Sequence, residues 1–460
     1  MLTAPVAPAK AQALDIETGF EVLQDPATRI EGLHRLYVGA NVAPRLSFGQ
    51  AIYSAATGDA GGAFFWGVEA VQRVPLGAGM SLAFSGFAGG GGGAAQVTGD
   101  GTMLRLGAVA EVPVAQNWAV QAGVSRISIS GANIDDWAAS FGLAWRPGAN
   151  GQADTPGAWR LRSASVGLSR LRFPGDLTRS GTPQPDLDLV GIEASFHAGP
   201  GTEIFAGADG AAEGGDGYMQ VYGGARKRLD LGAVSLFGQA SAGFGGGGDV
   251  DTGAGAMIGA AAGVAVPLGR GFDAELSYGV IRALDSGLDG TGVQARLTRV
   301  FDRGGTARPG PSQDWQVSIG LSAQSPNNSY MKSGSNAGIS PVMQESAIDL
   351  FISDATYLTG NAQTTVNGGV AGFAIGMIGL GHEFTLSDTW RLSLEGHVGA
   401  AGGGGVDVGR GLVGSVRAEI DYLLSPRNAV SLGIGTLRAI DGGANVPVMQ
   451  LGFKHRFSTH

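Results

Sequence analysis

Charged residues in this chain recur at even spacings. Arg226, Arg228 and Asp230 form one set, Asp273 and Glu275 a second, and Arg391 and Glu395 a third; Arg417, Glu419 and Asp421, then Lys454 and Arg456, complete the series. In an extended strand, i and i+2 lie on one face, so each set presents acids and bases together. Two kinds of chemistry suit such faces. They can form a charged constriction that selects solutes by electrostatics, or a salt-bridge network that fills a narrow interior. The second needs only the i, i+2 spacing, and neither needs catalysis.

Other chemistry is weakly signalled. There is no cysteine among 460 residues, so thiolate ligands and disulfides are excluded. The six histidines show neither an HExxH pattern nor a paired spacing, and no serine sits in a GxSxG elbow. His397 and His455 read as wall residues. The segments Gly246 to Asp251 and Gly404 to Asp407 are similar to calcium nonapeptides, but those work as tandem copies and each segment is single. No strand-to-helix turn follows any glycine cluster, as a phosphate loop requires. No enzyme, metal or cofactor is therefore assigned. A net charge of −9 with a pI near 5.2 argues against nucleic acid.

The elements carrying the charges are strands. Over Leu412–Leu424, one face holds Leu412, Val416, Ala418, Ile420, Tyr422 and Leu424, and the other Ser415, Arg417, Glu419 and Asp421. Alternation over about ten residues marks a strand between two unlike environments. Glycine, 82 of 460 residues, is too frequent for helices, and charged residues are only 15%. No stretch is long and apolar enough to be a transmembrane helix.

The pattern occurs three times. Glycine runs beginning at Gly89, Gly245 and Gly402 lie 156 and 157 residues apart, too far for a solenoid repeat. Their glycines read as hairpin-tip residues needing positive φ and close backbone approach. Short turns such as Val74–Gly77 and Val266–Gly269 alternate with longer links such as Ser130–Asp135 and Gln324–Glu345. In the second repeat this parity predicts strands over 159–173, 187–198, 202–211, 218–230, 234–244, 255–266, 272–282 and 292–301; in the first, the opening strands are Ile16–Gln24 and Leu33–Val42. The predicted units are residues 14–148, 158–302 and 314–458, separated by Pro/Gly-rich hinges leading to Trp159 and Trp315. Residues 1–13 read as a signal-peptide remnant or a disordered leader.

At the carboxyl end, Met449-Gln-Leu451-Gly-Phe453-Lys-His455-Arg-Phe457 resembles the closing strand of Gram-negative outer-membrane β-barrels, which ends on an aromatic. Three residues follow the aromatic here. The resemblance is to a porin-like superfamily pattern spanning most of the chain, and no functional residue carries over from it. It implies an all-β, antiparallel, transmembrane-type barrel of about 24 strands in three eight-strand repeats. Short periplasmic turns and longer outer loops fit that architecture. A soluble all-β protein is the rival, but it would have to expose strands such as Phe373–Leu380, apolar on both faces. A single 24-strand barrel is favoured over three tandem small ones, although a lumen that wide would need a plug.

Three functions are open at this point: a pore for small solutes; an export conduit for a polymer or protein, working with a partner machine; and a non-conducting structural or adhesive surface barrel. Expected partners are outer-membrane lipid, the barrel-assembly machinery, and small solutes or a secreted substrate.

Overall fold

The computed structural model describes every residue except 1–13, 25–28, 94–98, 116, 147–160, 303–312 and 460. The expected leader, most of both hinges and Trp159 therefore lie outside the described residues. The first repeat contains β1 (Leu14–Leu23), β2 (Ile30–Ala43), β3 (Leu46–Gly58), β4 (Phe64–Gly77), β5 (Met80–Gly92), β6 (Thr102–Ala115), β7 (Trp118–Ile129) and β8 (Ile134–Trp145). The second contains β9 (Leu161–Arg172), β10 (Leu187–Gly199), β11 (Thr202–Glu213), β12 (Met219–Asp230), β13 (Ser235–Gly246), β14 (Ala256–Gly269), β15 (Phe272–Ala283) and β16 (Asp289–Val300). The third contains β17 (Gln313–Gln324), β18 (Val342–Phe351), β19 (Thr356–Asn367), β20 (Ala374–Thr385), β21 (Trp390–Gly402), β22 (Leu412–Leu423), β23 (Asn428–Ala439) and β24 (Asn445–Thr459).

Each repeat closes on itself. β1 pairs with β8, β9 with β16 and β17 with β24, all antiparallel, giving three closed eight-strand barrels. The expectation of one wide barrel is corrected accordingly. In the second repeat every predicted strand overlaps an observed one, with ends shifted by no more than a few residues.

The walls are inside-out relative to a soluble protein. Outward-facing Leu106 is 70% exposed, whereas inward-facing Glu69 is 1% exposed. Phe84, Leu104, Val124, Phe141, Leu168, Val280, Leu297, Leu394, Val416, Ile434 and Met449 are likewise exposed. A band of this extent belongs against hydrocarbon. Aromatics mark its short-turn border: the rings of Trp118 and Trp145 lie 6.2 Å apart and those of Trp390 and Tyr422 5.0 Å apart.

The barrels meet in a ring. The third strand of each packs on the fifth strand of the next, β3 on β13, β11 on β21 and β19 on β5. Such a head-to-tail contact closes into a threefold ring when the rotation permits. The glycine runs form the seams. A Cβ on Gly62 would lie 2.5 Å from the Gly247 nitrogen, one on Gly217 2.8 Å from the Gly403 nitrogen, and one on Gly92 2.5 Å from the Gly372 Cα. Gly372 N–H donates to the Gly91 carbonyl at 2.9 Å across one seam. Across the others, His34 stacks on Phe244 at 4.6 Å, and Arg410 reaches Glu213 at 3.2 Å, beside a Lys332–Asp216 ion pair.

Seam geometry also corrects the alignment of the repeats. The bonds Gly91 N to Gly101 O, Gly245 N to Gly255 O and Ala401 N to Gly411 O are equivalent, so Gly92, Gly246 and Gly402 correspond, rather than the run starts.

Gly402→Leu should therefore strain one seam, at a cost of about 1–3 kcal/mol. Gly396→Leu lies on the same outward face with nothing within 4 Å of its added Cβ and should be neutral. Thermal unfolding followed by circular dichroism checks both; equal melting temperatures for the two variants would contradict a packed seam.

Candidate functional site

Eight strands enclose a lumen just wide enough for side chains to fill. Every inward charge must then find a partner, because an unpaired buried ion costs several kcal/mol.

The first barrel does this around Arg35, whose guanidinium pairs with Glu17 at 2.8 Å and Glu69 at 2.7 Å. Tyr53 donates to Glu69 at 3.0 Å, Arg105 pairs with Glu21 at 2.5 Å, and Arg73 joins Asp15, Glu17 and Glu111. The residual space is about 20 Å³, room for about a single water.

In the second barrel, Arg226 pairs with Glu193 at 2.6 Å and lies between the rings of Phe205 and Phe237, 4.9 and 5.1 Å from their centroids. Arg228 bridges Glu203 at 2.9 Å and Glu275 at 2.8 Å. Arg162 meets Glu203 at 3.0 Å, and Arg296 meets Glu193 at 2.7 Å. In the third barrel, Lys454 bridges Glu419 at 2.7 Å and Asp421 at 3.0 Å. Arg417 pairs with Glu345, and Tyr357 donates to Glu395 at 2.7 Å.

Of the residues singled out in the sequence, Arg226, Arg228, Asp273 and Glu275 lie buried in the second lumen, and Arg417, Glu419, Asp421 and Lys454 in the third. Glu395 is inward beside His397, 3.4 Å away. Arg391 and Arg456 stand partly exposed at the short-turn mouth, near Glu383. Asp230 departs from expectation: it is exposed at a short turn, where Ser235 donates to it. The first barrel's network was not anticipated, although Asp15, Glu17 and Glu21 alternate with Ile16, Thr18 and Phe20 in the same way. Glu193, Glu203, Glu345 and Arg296 were missed too. Glu345, at the end of the link expected over Gln324–Glu345, lies in β18.

At the long-loop end, each lumen is capped by apolar side chains. Ile30, Ala60 and Ile129 contribute to the first cap, Phe173, Tyr218, Val250 and Leu288 to the second, and Tyr330, Val370, Phe373 and Val406 to the third. The stretch read as one long polar loop folds inward: Tyr330 is fully buried and donates to Gln324 at 2.8 Å.

The second lumen keeps more space than the first. The second barrel holds a cavity of about 110 Å³ whose lining includes Asp209, Gln220, Tyr222 and Arg296 together with Ser241, Gly243, Gly259, Ala261 and Gly279. Correspondence between the barrels explains it. Where the first has Arg105 the second has Gly259, and where the third has Arg417 the second has Ala261; Ser241 replaces Phe87 and His397, and Asp209 replaces Tyr53. Gln220 donates to Asp209 at 2.7 Å. Volume that aromatic and guanidinium groups fill elsewhere is left open beside a carboxylate.

No family model and no curated protein matches this chain. Among solved structures, it is similar to the outer-membrane protein opdK of Pseudomonas aeruginosa, with 9% identity over 97% of this chain and 98% of the other and a TM-score of 0.23. A ferric enterobactin receptor mutant of the same organism, solved with enterobactin, gives 13% identity over 98% and 82%, with a TM-score of 0.30. A designed transmembrane β-barrel gives 9% identity over 31% and 95%, with a TM-score of 0.22. Likeness at these scores decides nothing about mechanism. The chain's own closed walls, outward apolar band and paired interior give it the build of a transmembrane-type β-barrel.

Removing one partner of a buried pair should destabilise strongly. Arg417→Ala leaves Glu345 uncompensated and should cost about 3–5 kcal/mol, while Arg417→Ala with Glu345→Gln should recover part of that loss. Urea unfolding in lipid vesicles measures both; additive losses would show that the two residues are not coupled.

Proposed function

We propose that the protein resides in the outer membrane, inserted by the barrel-assembly machinery with 14–148, 158–302 and 314–458 as its folding units, and that its second barrel is a narrow path for small polar solutes. The observation that carries this is the 110 Å³ cavity beside Asp209, in the one barrel of three that lacks the filling arginine. Its lining suits cations: Asp209 accepts from neutral Gln220 and Tyr222. Among the described residues of this lumen, Glu193, Glu203, Asp209, Asp273 and Glu275 outnumber Arg162, Arg226, Arg228 and Arg296.

Two closures bracket the path. The Arg226–Arg228 layer blocks the short-turn side and the Tyr218–Leu288 cap the other, so passage needs both to shift. Those closures also favour a second reading, a non-conducting structural or adhesive surface barrel. For an export conduit, no lumen of polymer width exists among the described residues.

Planar-bilayer recording separates the two readings. The pore reading predicts small, cation-selective current steps that disappear in Gly259→Arg, which puts a guanidinium where the first barrel has one. Silence from folded, membrane-inserted protein would leave the non-conducting barrel, and steps unchanged by Gly259→Arg would place conduction elsewhere.

A further inference from the structure

Between the three barrels runs a surface that none of their lumens uses. In each barrel the third and fifth strands hold the neighbours, so the fourth strand between them, β4, β12 or β20, turns its outward face to the common axis. Inter-strand register makes these faces equivalent position by position, with Phe64, Met219 and Ala374 at one level. The next levels are almost wholly apolar and include Trp66, Val68, Val221, Ile378 and Leu380.

The space is sealed at one end only. The glycine seams close it at the long-loop end, where Ala374 is 6% exposed; toward the short turns the barrels draw apart, and Leu380 on the same face is 56% exposed. Eight residues along each strand from the Phe64 level, the three faces change character together. Gln72, Lys227 and His382 occupy equivalent positions, all exposed.

Lys227 lies close to the short-turn border, because its Nζ donates to the Pro200 carbonyl at 2.8 Å and to the Thr202 hydroxyl at 3.1 Å, both at the β10–β11 turn. An ammonium has three N–H groups, so one remains to donate. His382 uses Nδ1 with the Thr356 hydroxyl at 2.9 Å, which leaves Nε2 outward. An apolar recess inside the membrane band, open toward one leaflet and carrying a cation with spare donors at headgroup depth, matches one chemical class.

We propose that this axial recess binds an anionic phospholipid from the leaflet on the short-turn side. Its acyl chains lie along β4, β12 and β20, and its phosphate accepts from Lys227, with Gln72 and His382 beside it. The lipid fills the interstice that the ring of barrels encloses and that the glycine seams cannot reach. Continuity of the apolar face with the outer lipid belt gives the route of entry, and the lysine gives the preference for negative charge.

Native mass spectrometry tests this on the full chain, released from detergent after exchange with phosphatidylglycerol or phosphatidylcholine. One phosphatidylglycerol is expected to survive delipidation that strips the belt, and Ala225→Trp, on the axial face, should abolish it. Val416→Trp, on the outer lipid face, should leave it in place. Lys227→Gln should lower the preference for phosphatidylglycerol over phosphatidylcholine by about fivefold while the fold is unchanged. Absence of a retained lipid, equal retention by wild type and Ala225→Trp, or an unchanged preference in Lys227→Gln would each overturn the proposal.

Discussion

Hydrocarbon offers no partner to a backbone N–H or C=O, so a sheet that crosses a membrane must have no edge. Everything else in this structure follows from how the chain meets that demand. It closes the sheet every eight strands, and an eight-strand lumen is too narrow to be left to water. Interior charges must therefore be neutralised by one another, which is why Arg35 and Lys454 each bridge two acids and Arg226 three. A wider closure would have relaxed that pressure and required a plug. Here the side chains of the wall are the plug.

Alternation made the strands legible. Where lipid lies on one side and charge on the other, period-two patterning is forced, and β22 could be read almost residue by residue. Closure was not legible in the same way. The pattern says which face meets lipid but not which strand pairs with the first, and an even count suits one barrel or three. The charged faces of β12, β22 and β24 were legible as faces; their pairing was not, because the partners stand on other strands: Glu203 on β11 opposite Arg226, Glu193 on β10, and Glu345 on β18, four strands from Arg417. Asp230 misled because the alternation carries past the end of the wall into the turn.

The middle barrel shows what repetition adds. Gly259 and Ala261 say little alone, since small residues are everywhere in this chain. Placed against Arg105 and Arg417 they become a deletion of volume, and the deletion falls beside Asp209. Aligning the repeats by their glycine run starts hides this, because the run starts of the three repeats are offset from one another by one to three residues relative to the structural correspondence. Register, not composition, carries the comparison.

Glycine itself is used twice over. In sequence the runs read as loop tips, where positive φ and tight turns are ordinary, and Gly403, Gly404 and Gly405 do have positive φ. At Gly92, Gly217 and Gly402 a second requirement dominates: the backbone of one barrel lies against the backbone of the next, with no room for a Cβ. A seam built from main chain needs no matched side chains, so three diverged barrels can share one geometry. It also confines contact to the long-loop end, because farther down the walls larger side chains return and hold the barrels apart. The same residues that join the ring thus leave the recess at its centre.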